Sequence, residues 1–216
     1  MATKKKIKVL SKKEKVEKLL IEISLKIAKE GKGCIFAIEE QPIPYEHLIE
    51  QDIKPFDIFQ YPRRLEALAV LDGACIITLD GQLKAYATRI AKAKTFSGYG
   101  TRHSAAYTAS LNKNTAIMAS EEDRKVKIFK NGVLVMQMDP FEKNIEYQTK
   151  EAVNILESIG IGSVASVTAT ALAPASYAAA FGISAATPAG LVLVPGIILF
   201  GTSHYLIREL LKHKKK

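Results

Sequence analysis

Between Ser158 and Ile207 the chain contains no Asp, Glu, Lys or Arg. Its 31 Lys+Arg and 22 Asp+Glu are confined to the remaining residues, which are about one-third charged where roughly a quarter is usual. This absence excludes two simple readings, a disordered chain and a uniformly soluble single domain. Cysteine is also scarce. Cys34 and Cys75 each lie inside an apolar run with no second Cys, His or carboxylate at metal-ligand spacing, so neither a disulfide framework nor a zinc site is expected. The first residues, Met1 to Lys18, are lysine-rich and lack an apolar stretch of signal-peptide length. A cleaved leader is therefore not expected, and the bulk of the chain reads as intracellular. The globular part has no internal repeat.

What is present is a chain of 216 residues with a net charge of +9, enough for one catalytic-sized domain and a small appendage. The lysines cluster at the two ends, in Lys4-Lys5-Lys6 and in Lys212, Lys214, Lys215 and Lys216. With a charge-free segment beside them, an anionic membrane surface is the better physical partner, and nucleic acid is not expected; each juxtamembrane Lys or Arg contributes about 1 kcal/mol.

Ser11 is placed to cap a helix to about Glu30, with Val16, Leu19, Leu20, Ile23 and Ile27 on one face and Gly31 as the stop. Cys34–Ile38, Ala74–Thr78 and Thr115–Ala119 are short apolar runs that read as buried strands. Asp80-Gly81 predicts a hairpin between Ala74–Leu79 and Gln82–Ala87, and Asn131-Gly132 predicts another between Lys125–Lys130 and Val133–Met138. Pro42 to Pro62 reads as loop with short helical pieces, Arg63 to Val70 as the end of a helix, and Glu142 to Leu156 as a surface or connecting helix. Mixed strands and helices make residues 31–157 an α/β domain around one sheet, preceded by a basic helix (1–30).

Three segments combine glycine, carboxylates and cations at strand ends: Asp72-Gly73-Ala74, Gly100-Thr101-Arg102-His103 and Ser120-Glu121-Glu122. Each alone has a bland reading as a turn, a solvated pair or a helix cap. Phosphoryl transfer uses all three. Gly98-Tyr99-Gly100 lets backbone approach a ligand, Thr101 opens a helix whose free N–H groups face an anion, and Arg102 offers a forked cation. Glu121 and Glu122 could hold a hard divalent cation, and Asp72 could accept or orient a hydroxyl proton. The residues themselves point to a nucleotide or polyphosphate site using a metal and do not choose the reaction.

These segments, in this order and followed by Ala105-Ala106, resemble the catalytic domain of diadenylate cyclases over roughly Gly31 to Met138. The strand Cys34–Ile38 with Glu39 and the hairpin at Asn131-Gly132 fall at matching places. The resemblance implies a central mixed β-sheet flanked by helices. It also implies condensation of two ATP into cyclic di-AMP with release of two pyrophosphates, in a head-to-head homodimer or higher homo-oligomer. Carried over by position, Asp72, Arg102 and His103 would be catalytic, with Asp72 activating or orienting the 3′-hydroxyl. Gly73, Ala74, Gly100, Thr101, Arg102, Ser120 and Glu121 would bind the nucleotide, and His103, Glu121 and Glu122 would place Mg²⁺ or Mn²⁺. Two departures stand out. Many relatives read Arg-His-Arg where this chain has Arg102-His103-Ser104, and the segment Ala87-Thr88-Arg89 lacks an aromatic residue, although Arg89 could stack on a base.

The charge-free segment 158–207 is long enough for two membrane crossings turning near Phe181 to Pro188. Small residues four apart, Gly162, Ser166 and Thr170, or Ala165, Ala169 and Ala173, would let the helices approach closely. Arg208, Lys212 and the basic tail (208–216) then put the catalytic domain on the cytoplasmic side of the cell membrane. The alternatives are that the two helices bury each other in a soluble oligomer, or that a non-catalytic nucleotide sensor gates a membrane-inserting hairpin.

Overall fold

The computed structural model describes residues 9–93 and 100–160. The expected glycine approach at Gly98-Tyr99 and the hairpin and tail beyond Gly160 lie outside these. Among the described residues, no helix is long and apolar enough to cross a membrane.

The first helix, α1 (Lys12–Lys29), begins as its sequence dictates. Ser11 Oγ accepts the Glu14 N–H at 3.2 Å, and the Glu14 carboxylate accepts the Ser11 N–H at 2.6 Å. This reciprocal cap satisfies donors that the helix cannot pair internally and is worth about 1 kcal/mol. The helix stops where Gly31 turns to φ +70°.

The chain continues through β1 (Cys34–Glu39), β2 (Tyr45–His47), β3 (Phe56–Asp57), α2 (Pro62–Ala69), β4 (Ala74–Thr78) and β5 (Gln82–Ile90). It closes with α3 (Thr101–Ala109), β6 (Thr115–Ala119), β7 (Val126–Lys130), β8 (Val133–Met138) and α4 (Ile145–Gly160). The strands form one mixed sheet in the order β2-β5-β4-β1-β6-β7-β8, with β3 also on β5. Among the described residues, only β1 and β4 run parallel; the other pairs are antiparallel.

Alternation along the central strands feeds two cores. Phe36, Cys75, Ile77, Ile117 and Ile128 pack with α1, α2 and α4 on one face, while Ile35, Ala37, Ile76, Ala116 and Met118 pack with Ala106 and Ala109 of α3 on the other. Each fully buried large apolar side chain contributes about 1.5–3 kcal/mol relative to exposure. Burial on both faces explains why these strands read as continuous apolar runs.

Both hairpins form where expected, with Gly81 at φ +85° and Asn131 and Gly132 at φ +51° and +73°. Two expectations fail. The stretch from Pro42 to Pro62 contains strands: Tyr45–His47 pairs with Thr88–Ile90 and Phe56–Asp57 with Gln82–Leu83. Long β5 leaves backbone groups that only another extended segment can satisfy, so tertiary pairing overrides the turn signals of the prolines. The last helix is also more than a connector, since Ala152, Val153 and Leu156 are buried in the core it shares with α1.

Candidate active site

Strand directions bring the three sequence segments to one end of the sheet. Cys34 at the start of β1 lies opposite Ala119 at the end of antiparallel β6, and parallel β4 starts at the same end. Asp72-Gly73, Ser120-Glu121-Glu122 and the residue before β1, Gly33, therefore emerge together.

Beside them opens a cleft of about 460 Å³ lined by Ile35, Leu48, Asp72, Thr88, Thr101 and Arg102, with Gly73, Ala74, Glu46, Arg89 and Lys92 among its remaining walls. Asp72 is exposed, and its Oδ1 accepts the Gly73 N–H at 3.0 Å. Gly73 sits at φ +98°, and a Cβ there would stand 2.7 Å from both Thr88 N and Thr88 O, so only glycine fits. The same strand crossing is held by the Thr88 hydroxyl, which donates to Ala74 O at 2.9 Å. Next to it Ala87 adopts φ +43° where the β4–β5 register shifts, a bulge of the kind that re-aims backbone beside binding sites.

Helix α3 begins at the cleft. Its cap, Gly100, offers no side-chain hydrogen bond to the first turn, so backbone N–H groups at its positive end are open to an anionic ligand. Arg102 packs so closely over Gly33 that a Cβ there would lie 2.7 Å from Nη1. The guanidinium donates from Nη1 to Glu121 Oε2 at 2.6 Å. Both side chains are about half exposed, so this pair is worth at most about 1 kcal/mol and is easily exchanged for a phosphate. Glu122 is exposed beside Gly100, with Oε1 3.6 Å from where a Cβ on that glycine would stand.

His103 takes a different direction. Its Nε2 is 2.7 Å from Lys127 Nζ, and that ammonium is 2.6 Å from Asp123 Oδ2. Burial, and after it the Lys127 charge, hold the imidazole pKa below its ordinary value. Burial alone would raise the Asp123 carboxyl, but its hydrogen bond with Lys127 keeps it below the usual carboxylate range. Ser120 Oγ accepts the Asp123 N–H at 3.5 Å, anchoring the turn.

Thus Asp72, Gly73, Ala74, Thr101 and Arg102 meet at the cleft, and Glu121 joins them through Arg102. Among the described residues, no three His, Cys, Asp or Glu side chains gather into a set able to hold a metal ion. Glu121 and Glu122 offer hard carboxylate oxygens beside the α3 cap, which fits a hard divalent cation shared with phosphates. The Nε2 atom of His103, turned to an ammonium, does not add to that set. Sequence reasoning missed Glu46, Leu48, Thr88, Lys92 and Lys127. Only Lys127 left a signal, a lysine inside a strand buried on both faces. The two cysteines are inert: burial pushes the Cys34 thiol up to about 11 and raises Cys75 further.

The domain is thus a mixed α/β sheet with a cleft at one end, lined by charged side chains of both signs beside the start of α3. The chain belongs to the DAC family, described as the DisA bacterial checkpoint controller nucleotide-binding domain, which matches residues 22–134. Among solved structures, a hypothetical membrane spanning protein from Bacillus cereus is similar at 18% identity and a TM-score of 0.41, over 54% of this chain and 60% of that one. The chain therefore spans three-fifths of the length of that protein. A double mutant of DacA from Staphylococcus aureus is similar at 17% identity and a TM-score of 0.43, over 69% of this chain and 97% of that one. No curated protein matches the chain.

Proposed function

We propose that the protein is a diadenylate cyclase, a nucleotidyltransferase that condenses two ATP molecules into cyclic di-AMP and two pyrophosphates. The observation that supports this best is the meeting of Asp72, Gly73, Thr101 and Arg102 at one cleft in a chain of the DAC family. The base fits the apolar wall of Ile35, Leu48 and Ile90, and the phosphates fit the start of α3 and Arg102.

Two subunits face each other, each holding one ATP. The 3′-hydroxyl oxygen of one ATP attacks the α-phosphorus of the other, and the bond to the β-phosphate breaks so that pyrophosphate leaves with the electron pair. Asp72 accepts or orients the hydroxyl proton, with its carboxylate steadied by the Gly73 N–H. Arg102 and the α3 N–H groups stabilise charge on the phosphate oxygens in place of water. Glu121 and Glu122 would hold the divalent cation, Mg²⁺ or Mn²⁺, whose chemistry when bound is to offset phosphate charge. A hairpin over Ser158–Ile207 would anchor the enzyme at the cell membrane with the catalytic domain on the cytoplasmic side.

The test is incubation of the detergent-solubilised protein with ATP and either metal, with mass-spectrometric detection of cyclic di-AMP. Product that is lost in Asp72→Asn, while ATP binding persists, is the expected result. ATP binding without product in either metal would overturn the reading.

A further inference from the structure

The buried lysine beneath α3 does more than fill space. Lys127 lies on β7 with its side chain only 11% exposed, and its ammonium sits between His103 Nε2 at 2.7 Å and Asp123 Oδ2 at 2.6 Å. An ammonium has donors and no acceptor, so at that distance Nε2 must be the accepting atom, and a neutral imidazole carries its proton on Nδ1. The same ammonium also donates to the Asp123 carboxylate, so its position is fixed from two sides.

We propose that Lys127 is a positioning residue of the nucleotide site, fixing His103 as the Nδ1–H tautomer and clamping the first turn of α3 to the turn between β6 and β7. The site in question is the one proposed above, and the inference rests on that reading for its effect on turnover. The clamp matters because the Arg102–Glu121 pair, which also links these segments, is open to solvent, and a phosphate would compete for it. When Arg102 turns to substrate, Lys127, tied to Asp123 and through it to Ser120, still holds the turn that carries Glu122 beside Gly100. It also follows that Nε2 of His103 is not offered to a metal, which leaves that task to the carboxylates.

The experiment is nitrogen NMR of the full chain in detergent, labelled with ¹⁵N-histidine. The chain has only four histidines, and His103→Gln assigns the signal. His103 is expected as Nδ1–H with a hydrogen-bonded, unprotonated Nε2, and Lys127→Met is expected to shift it to a tautomer mixture. Lys127→Arg, which keeps donors and charge, should restore the Nδ1–H form. In the same preparations, cyclic di-AMP formation should fall about 10- to 100-fold in kcat for Lys127→Met, with a smaller change in KM for ATP, and recover substantially in Lys127→Arg. An Nε2–H tautomer in the unaltered protein, or one unchanged in Lys127→Met, overturns the proposal. Unaltered kcat in Lys127→Met overturns it as well. If the unaltered protein makes no product, the cyclase reading fails, and the nitrogen spectra still decide the role of Lys127 on their own.

Discussion

Glu17 carries the sharpest stability prediction in the molecule. It lies on α1 with no exposure, and among the described residues neither carboxylate oxygen has a hydrogen-bond partner. Burial drives its pKa from 4.5 up to about 7, with Lys13 and Lys130 pulling down and Glu14 and Glu157 pushing further up. A carboxyl whose pKa is higher folded than unfolded binds its proton more tightly in the native state, so ionisation costs stability. The cost is absent below the unfolded pKa, grows as pH rises, and is complete above about pH 7. A shift of about 2.5 units at 1.36 kcal/mol per unit gives about 3 kcal/mol in total. Glu17→Gln removes the titration but buries an amide with needs of its own, so the readout is the slope with pH, not absolute stability. Urea denaturation of the full chain in detergent should show the unaltered protein losing about 2.5 kcal/mol relative to Glu17→Gln between pH 5 and pH 8. Groups held low, such as Glu40 and Asp123, lose their contribution on the acid side in both proteins and cancel. Parallel profiles, within about 0.5 kcal/mol, would show that Glu17 is hydrated or paired in the folded state and refute the reasoning.

Two glycines at the site separate folding from binding. Gly73→Ala forces a Cβ against the Thr88 backbone at positive φ and should cost about 2–4 kcal/mol by thermal or urea unfolding. In Gly33→Ala the atoms nearest the new Cβ belong to the movable Arg102 guanidinium, so stability should change by less than about 0.5 kcal/mol, while ATP affinity measured by calorimetry falls as Arg102 is displaced. Chelation should abolish cyclic di-AMP synthesis and added Mg²⁺ or Mn²⁺ should restore it; persistence of turnover in excess chelator would remove the carboxylate pair from the mechanism. Ser11→Ala breaks the α1 cap and should lower stability by about 1 kcal/mol without changing kcat.

The fold was legible where local chemistry and tertiary packing agree. The cap at Ser11, the stop at Gly31, the turn at Asn131-Gly132 and the apolar runs of β1, β4 and β6 each carry their cause within a few residues. The edge strands were not legible, because β2 and β3 exist only to pair with β5, whose surplus length is a property of a segment more than 20 residues away. The role of α4 was hidden for a related reason. Its spacing of Ile145, Val153 and Leu156 showed an apolar stripe, but nothing local says that α1 offers the matching face.

The site divides along the same line. Asp72-Gly73, Thr101-Arg102 and Glu121-Glu122 stand out in sequence because glycine, carboxylate and cation are adjacent, and the parallel pairing of β1 with β4 then carries them to one end of the sheet. Lys127 could not be assigned this way, since its meaning depends on His103 lying above it across the α3 face, 24 residues away. Lysine in a strand buried on both faces signals only that a partner must exist, because an unpaired buried ammonium is too costly to keep. Sequence can therefore announce that such a charge is committed, with Asp123 four residues before it as the ion-pair partner, while the contact with His103 requires the helix to be set down on the sheet. Here Asp123 pairs the charge and the imidazole of His103 in the first turn of α3 takes a second contact, which is the ground for proposing Lys127 as part of the site even though it does not line the cleft.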